Sequence, residues 1–166
     1  MSKTQDNLKE AFAGESQANR KYLAFSRKAE KEGLAQMSRL LKAIAEAETI
    51  HALKHLEVMG GNKTTLENIK GALEGETHEF EEMYPEMIKQ AEAEDNKPAR
   101  ATFHLANEAE KAHAELYKKA IAALEGGGDF PAESFHLCPI CGYVAADHAP
   151  DKCPICGNPG KNFEAY

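Results

Sequence analysis

The stretch Ala47-Glu48-Thr49-Ile50-His51 decides how the rest of this chain is interpreted. In a helix, a Glu and a His three residues apart project from one face. The apolar residues around this segment recur at helical spacing, and Glu48 and His51 fall on the apolar stripe rather than opposite it. A buried carboxylate is costly unless something compensates it, and a metal cation shared with a neutral imidazole is a common compensation. The stretch therefore indicates a metal site on the inner face of a helix.

A second copy of this motif distinguishes it from a chance occurrence. Ala109-Glu110-Lys111-Ala112-His113 has the same spacing and again lies on an apolar stripe. Upstream of each copy, Gly14-Glu15-Ser16 with Tyr22 corresponds to Gly75-Glu76-Thr77 with Tyr84. The equivalent glutamates are 61 and 62 residues apart, which indicates two similar halves that each supply a Glu and then a Glu-x-x-His.

Net charge, the lengths of apolar runs and the cysteine spacing exclude several classes of function. The formal net charge of -7 argues against a nucleic-acid partner, whose phosphates would repel this surface. No apolar run is long enough to span a bilayer, and the N-terminus lacks the basic and apolar regions of a signal peptide, so we expect a cytoplasmic protein without a membrane partner. All four Cys lie between 138 and 156 in C-x-x-C pairs, which indicates a metal site before it indicates disulfides.

Apolar periodicity predicts four helices within the first 125 residues. The first runs from about residue 4 to 31, and the second ends near Met59. Thr64-Thr65-Leu66-Glu67 has the pattern of a capping box at the start of the third helix, which Pro85 is predicted to kink. Pro98 fits the first turn of the fourth helix. Four helices with apolar stripes predict an all-α four-helix bundle.

Several titratable side chains face the predicted interior. They are Glu15, Glu48, His51, Glu76, Glu79, Glu110 and His113. Taken singly, a helical Glu is usually solvated, and a lone His on an apolar face is usually a core residue. Four carboxylates from four helices, two of them followed by His at the third position, form the ligand set of dinuclear sites in ferritin-like bundles. Tyr22 and Tyr84 lie near the same level, either as core residues or as hydrogen-bond partners of a ligating carboxylate.

The C-terminal segment indicates a second metal site. Cys138-Pro139-Ile140-Cys141-Gly142 and Cys153-Pro154-Ile155-Cys156-Gly157 each predict a tight knuckle, and two knuckles give a tetrahedral four-sulfur site. The soft thiolate ligands and the tetrahedral geometry of such a site suit both Zn and Fe. Asp147 and His148 lie between the knuckles and are not expected to be ligands. Phe163 and Tyr166 are expected in the core of this small module.

With both sites in place, the chain resembles the rubrerythrin family over nearly all 166 residues. The resemblance implies a ferritin-like diiron bundle at 1–125, a linker at 126–137 and a rubredoxin-like iron domain at 138–166. It implies an oxo- and carboxylate-bridged pair of Fe ions, with one further Fe held by Cys138, Cys141, Cys153 and Cys156, and with Zn as a possible substitute.

The resemblance also implies ligand roles. Glu48 and Glu110 would bridge the irons, Glu15 and Glu76 would be terminal ligands, and His113 would bind one iron. Glu79 would bind the other iron in the oxidised state, and His51 would replace it on reduction.

The implied activity is a peroxidase that reduces hydrogen peroxide to water. Its electrons would come from a separate NAD(P)H-dependent reductase or a rubredoxin and pass through the four-cysteine iron. The alternative is a ferroxidase or iron-handling protein with a structural zinc ribbon, and a third hypothesis treats both metal sites as purely structural.

The distance between motifs further predicts a homodimer that exchanges helices. In the ferritin-like topology the second and third helices run parallel, so the chain must return along the bundle by about 28 Å at a rise of roughly 1.5 Å per residue. About six extended residues cover only roughly 21 Å. We therefore expect each diiron site to take Glu15, Glu48 and His51 from one chain and its other ligands from a partner.

Overall fold

The computed structural model describes residues 2–166 and is mainly helical. Its α-helices are α1 (Lys3–Lys31), α2 (Ala35–Val58), α3 (Thr65–His78), α4 (Tyr84–Ala93) and α5 (Lys97–Glu125). A π-helix, Glu79–Met83, joins α3 to α4. Three short strands follow, β1 (Phe135–Leu137), β2 (Val144–Ala146) and β3 (Glu164–Ala165), with a 3-10 helix at Gly160–Asn162. Within residues 2–166, no helix combines the length and apolar character needed to cross a membrane.

The chain divides into two compact units, and the first ends at Lys63. In this N-terminal unit α1 packs against α2. The buried residues at this interface are small or polar, and they are Asn19, Ser26, Ala29, Ser38, Ala45 and Ala52. The apolar stripe that we predicted to be buried is not covered within the unit, since Met37 is 52% exposed and Val58 is 58% exposed. Two helices can cover only one face of each other, so this stripe stays exposed within the N-terminal unit.

The end of α2 and the start of α3 agree with the sequence patterns. The backbone N–H of Gly61 donates to the carbonyl of Leu56, and Gly60 has a φ of 67°, as in a glycine-terminated helix end. The predicted capping box is present, with the Thr64 hydroxyl and the Glu67 carboxylate each accepting from the other residue's backbone N–H. The third helix therefore begins at Thr65, as predicted.

The second unit comprises Thr64–Tyr166, and in it α3, the π-helix and α4 pack along α5. Pro85 lies in the first turn of α4, directly after the π-helix. We predicted one helix kinked at this proline. The structure instead has a wider π turn just before it, between α3 and α4. Proline has no backbone N–H to donate, and a π turn is one way in which a helix accommodates an extra residue. Pro98 lies in the first turn of α5, as predicted.

The three strands form an antiparallel sheet in the order β2-β1-β3. Strand β1 falls within residues 126–137, which the sequence analysis placed in the linker. Phe163 packs edge to face on Tyr143, with ring centroids 6.5 Å apart. The prediction for Tyr166 is wrong, because this side chain is 73% exposed. Its backbone instead pairs with Phe135 at the edge of the sheet.

Candidate metal centres

The N-terminal unit brings together three of the predicted ligands. Glu15 projects from α1, and Glu48 and His51 project from α2. One ligand atom from each lies within 4.8 Å of the others. Nδ1 of His51 is 3.0 Å from Oε2 of Glu48 and 3.9 Å from Oε1 of Glu15. A hydrogen bond to Glu48, together with partial burial, raises the pKa of Glu15, as expected for two carboxyl groups that share one position.

The C-terminal unit contains an equivalent group. Glu76 projects from α3, and Glu110 and His113 project from α5, again with ligand atoms within 4.8 Å of one another. Nδ1 of His113 is 2.7 Å from Oε2 of Glu110 and 3.6 Å from Oε2 of Glu76. The two halves of the sequence repeat thus each build a cluster of two carboxylates and one imidazole.

The electrostatics of this second cluster suit a cation. Burial, and then the neighbouring Glu110, raise the pKa of Glu76 to about 7. The Glu110 carboxylate raises the pKa of His113 to about 9, although burial opposes this. Oε2 of Glu76 is buried and has no hydrogen-bond partner among residues 2–166. Two carboxylates, one of them with a free buried oxygen, and an imidazole whose proton a metal can replace are the donors that an iron ion requires, so the residues present fit a metal.

His113 also contacts the cysteine-containing module. Its second ring nitrogen, Nε2, lies 2.9 Å from the backbone carbonyl of Gly142. Nε2–H donates to this carbonyl, while Nδ1 faces Glu110 and Glu76. A metal that replaces the Nδ1 proton would bind the lone pair at this position. Sequence analysis missed this contact, because no pattern in the chain links residues 113 and 142.

Glu79 and Tyr84 lie beside the C-terminal cluster but are not part of it. Glu79 is the first residue of the π-helix, and burial followed by repulsion from Glu110 raises its pKa. Burial raises the pKa of Tyr84, with smaller contributions from Glu110, Glu79 and other carboxylates. Besides burial, the negative charge of the cluster therefore raises the pKa values of both side chains.

Two further tyrosines lie in the helices, Tyr22 in α1 and Tyr117 in α5. In the N-terminal unit, Tyr22 packs near Phe25, with ring centroids 6.3 Å apart. The sequence analysis gave Tyr117 no role. Burial, and then the charges of Glu76 and Glu110, raise its pKa. Its position one helical turn after His113 was a signal that could have identified it.

The four cysteines form a third cluster. Cys138 and Cys153 are buried, whereas Cys141 and Cys156 are partly exposed. The Sγ atoms of Cys138 and Cys156 are 3.6 Å apart, and those of Cys141 and Cys153 are 3.5 Å apart. A tetrahedral site with metal–sulfur bonds of about 2.3 Å requires sulfur atoms separated by roughly 3.8 Å. The observed spacing is therefore close to that of a four-thiolate metal site.

The backbone of the knuckles favours thiolates. Gly142 and Gly157 have φ values of 84° and 74°, so each glycine permits the turn that follows its cysteine pair. Although burial opposes it, hydrogen bonds from the backbone N–H groups of Ile140 and Cys141 lower the pKa of Cys138 to about 7. The cluster consists of the four cysteines and includes neither Asp147 nor His148.

Two helix-borne clusters of carboxylate and imidazole, followed by a four-thiolate knuckle module, define a ferritin-like diiron protein with a rubredoxin-like domain. Comparisons with known proteins agree with this class. A family model described as "Rubrerythrin" matches residues 6–121, and one described as "Rubrerythrin, rubredoxin-like domain" matches residues 136–164.

Individual relatives extend the match over the whole chain. Rubrerythrin-2 of Clostridium acetobutylicum is 36% identical over 177 residues, with 98% of this chain and 96% of the relative covered. Nigerythrin of Nitratidesulfovibrio vulgaris is 39% identical, with 98% of this chain and 86% of the relative covered. A solved structure of fully reduced, all-ferrous nigerythrin is 35% identical and covers 100% of this chain and 88% of its own, with a TM-score of 0.60.

The chain belongs to the rubrerythrin family. Its cofactors are accordingly two Fe ions in the carboxylate and histidine site and one Fe in the four-cysteine site. The predictions of fold class and cofactors made from the sequence are confirmed.

Proposed function

We propose that this protein is a non-haem diiron peroxidase of the cytoplasm that reduces hydrogen peroxide to two molecules of water and so protects against oxidative stress. Two adjacent ferrous ions would supply the two electrons that cleavage of the O–O bond requires, and two protons would be taken up to form the two waters. An iron held by four thiolates would transfer one electron at a time. The helical residues 1–125 would carry out the chemistry, and the module at 138–166, attached through the linker at 126–137, would relay the electrons.

The observation that carries this proposal is the contact between His113 and Gly142. One nitrogen of the imidazole faces the carboxylates of the metal cluster, and the other donates to a carbonyl 2.9 Å away in the first knuckle. Gly142 directly follows Cys141, one of the four sulfur ligands. A short path of bonds and one hydrogen bond therefore joins the two metal clusters of the C-terminal unit. A module that only stabilised the fold would not need this contact with a ligand.

The proposed roles of the side chains are those that the family resemblance implies. Glu48 and Glu110 would bridge the two metal ions, and Glu15 and Glu76 would be terminal ligands. His113 holds one ion through Nδ1, with Gly142 fixing the orientation of its ring.

The remaining position alternates between two ligands. Glu79 is proposed as the ligand in the oxidised state and His51 as the ligand in the reduced state. The π turn that contains Glu79 supports this role, because π turns occur often at functional sites. Tyr22 and Tyr84 are proposed to hydrogen-bond ligating carboxylates and to hold protons close to the bound peroxide.

The test combines colour with turnover. Ferric iron in a four-thiolate site is red, whereas zinc is colourless. The purified protein is expected to be red, to be bleached by NAD(P)H with a suitable reductase or a reduced rubredoxin, and to consume peroxide in proportion to the reductant. A colourless protein that oxidises added ferrous iron would instead support the alternative, a ferroxidase or iron-handling protein with a structural zinc ribbon.

We further propose that the active form is a homodimer in which helices are exchanged. The capping box fixes the start of α3 at Thr65, and the backbone N–H groups of Met59, Gly60 and Gly61 still bond to the last turn of α2. Little chain is left to return along the bundle, as the parallel arrangement of the second and third helices in ferritin-like folds requires.

The charges of the two units support association between chains. The first 63 residues contain 11 Lys and Arg against 8 Asp and Glu, whereas Thr64–Tyr166 contains 9 against 19. The N-terminal unit of one chain is thus positive and the C-terminal unit of its partner is negative, so that they attract each other. The exposed apolar stripe at Met37 and Val58 is the surface that such a partner would cover.

Mixing two inactive chains tests the exchange. In a swapped dimer of a Glu48→Ala chain with a Glu110→Ala chain, one diiron site is doubly damaged and the other is intact. When the two variants are refolded together, each mixed dimer is expected to show about half of the activity of the unsubstituted dimer. Each variant refolded alone is expected to stay inactive. No recovery in verified mixed dimers would show that each site is built from one chain.

A further inference from the structure

A buried polar bridge crosses the interface between α1 and α2. Asn19 is only 5% exposed. Its Nδ2 donates to the backbone carbonyl of Ala45 at 2.7 Å and to Oγ1 of Thr49 at 2.8 Å. Oγ1 of Thr49 donates in turn to the same carbonyl, at 3.2 Å. The amide of α1 is thus tied to two points on α2.

These two points lie on either side of a proposed bridging ligand. Ala45 is three residues before Glu48, and Thr49 is the residue immediately after it. Asn19 itself is one helical turn after Glu15. The bridge therefore ties the backbones that carry both carboxylates of the N-terminal cluster, close to their points of attachment.

Stability alone does not explain an amide at this position. Oδ1 of Asn19 is buried and has no hydrogen-bond partner within residues 2–166, and a buried acceptor left in this way is unfavourable. The carbonyl of Ala45 already lies in the hydrogen-bond ladder of α2. A leucine has the same branched shape and leaves no unpaired oxygen, although its methyl groups are larger than the amide atoms and the helices must move slightly apart to hold them. The presence of Asn19 at this buried position therefore needs an explanation other than stability.

The second half of the repeat has no such bridge. The positions equivalent to Asn19 and Thr49 are Phe80, within the π-helix, and Lys111. The half of the site that contains the π turn and the additional ligand Glu79 thus lacks the polar tie, whereas the N-terminal half has it.

From this geometry we propose that Asn19 is a positioning residue for the diiron site, one that sets the separation of α1 and α2 at Glu15 and Glu48 and so fixes the distance between these two ligands. The inference rests on the proposed diiron function and adds a residue to it that does not itself touch the metal. Its predicted effect is on how firmly the N-terminal carboxylates hold iron.

The same interface offers a matched control. Oγ of Ser26 lies 3.0 Å from the carbonyl of Ser38 and 3.0 Å from its hydroxyl, and Ser26 is fully buried. Ser26 lies two helical turns beyond Asn19, away from the metal cluster. Ser26→Ala therefore removes a polar tie between the same two helices without touching the region of the ligands.

The experiment compares full-length, iron-loaded Asn19→Leu and Ser26→Ala proteins with the original chain. Three quantities are measured: the rate at which a ferrous chelator removes the diiron iron, the visible spectrum of the diferric site, and the midpoint of thermal unfolding. Asn19→Leu is expected to release iron roughly threefold faster or more and to shift the diferric bands, with an unfolding midpoint no lower than that of Ser26→Ala. Ser26→Ala is expected to lower the midpoint and leave iron release and spectrum unchanged.

The proposal is overturned if Asn19→Leu retains the original release rate and spectrum, or if its release rate rises only as its unfolding midpoint falls. Thr49→Val, which removes the accepting hydroxyl and keeps the shape, covers the case in which Asn19→Leu does not fold. It is expected to change iron release in the same direction by a smaller factor, and an unchanged rate would overturn the proposal. No readout uses peroxide, so the peroxidase proposal is tested separately by turnover.

Discussion

If the protein is the exchanged dimer that we propose, lengthening the connection between α2 and α3 is predicted to convert it into a monomer. From His51 to Val58 the chain runs about 10 Å beyond the level of the ligands, and from Thr65 to Glu76 it runs about 16 Å before that level is reached again. A chain that closed its own bundle would therefore have to return by about 27 Å, before any sideways step between helices.

The connection is too short for this return. Met59, Gly60 and Gly61 still bond to carbonyls of α2, and Thr64 caps α3. Three steps between neighbouring Cα atoms, from Gly61 to Thr64, span at most about 11 Å. The shortfall of about 16 Å corresponds to at least five extended residues. We therefore choose an insertion of about ten Gly and Ser residues after Asn62, which exceeds that minimum twofold.

The assay is the molar mass of the iron-loaded protein by light scattering across a dilution series, after refolding at low concentration. The original chain is expected to remain a dimer, and the lengthened chain is expected to form a monomer that keeps its diiron iron. The same insertion between Gly127 and Gly128 is the control and should leave the dimer intact, because it does not lie between the two halves of the ligand set. An original chain that holds diiron iron as a monomer would refute the reasoning.

Three further predictions concern single features of the chain. Glu79→Ala should keep the fold and slow single turnover with peroxide, whereas Glu82→Ala on the same π-helix should not; equal single-turnover rates would remove Glu79 from the mechanism. Changing Cys138 and Cys153 to Ser should abolish the red colour and electron delivery, yet leave one turnover of a chemically reduced diiron site. Thr64→Ala should lower the free energy of unfolding by about 1 kcal/mol in denaturant titrations.

The sequence was sufficient for the features that rest on local spacing. The capping box at Thr64, the first-turn proline of α5 and the knuckles closed by Gly142 and Gly157 each need only a few neighbouring residues. The two Glu-x-x-His clusters were predictable because helical periodicity places a Glu and a His three residues apart on one face.

Other features depend on the folded chain and left no local signal. The hydrogen bond from His113 to Gly142 joins residues that are close only after the module has folded against α5. The Asn19 bridge depends on which residues of α1 lie opposite which residues of α2, and apolar periodicity does not specify this. The π turn replaced an expected kink at Pro85, because a proline indicates a break in the hydrogen-bond ladder but not how neighbouring residues absorb it.

The peroxidase account is tested most directly by stopped-flow mixing of the fully reduced protein with hydrogen peroxide under anaerobic conditions, with the absorbance of the four-cysteine iron followed over time. The account predicts rapid oxidation of the diiron site, followed by return of the red ferric absorbance, with two electrons withdrawn for each peroxide consumed. A four-cysteine iron that stays reduced while peroxide remains, or a protein that reacts rapidly with dioxygen and only slowly with peroxide, would contradict it.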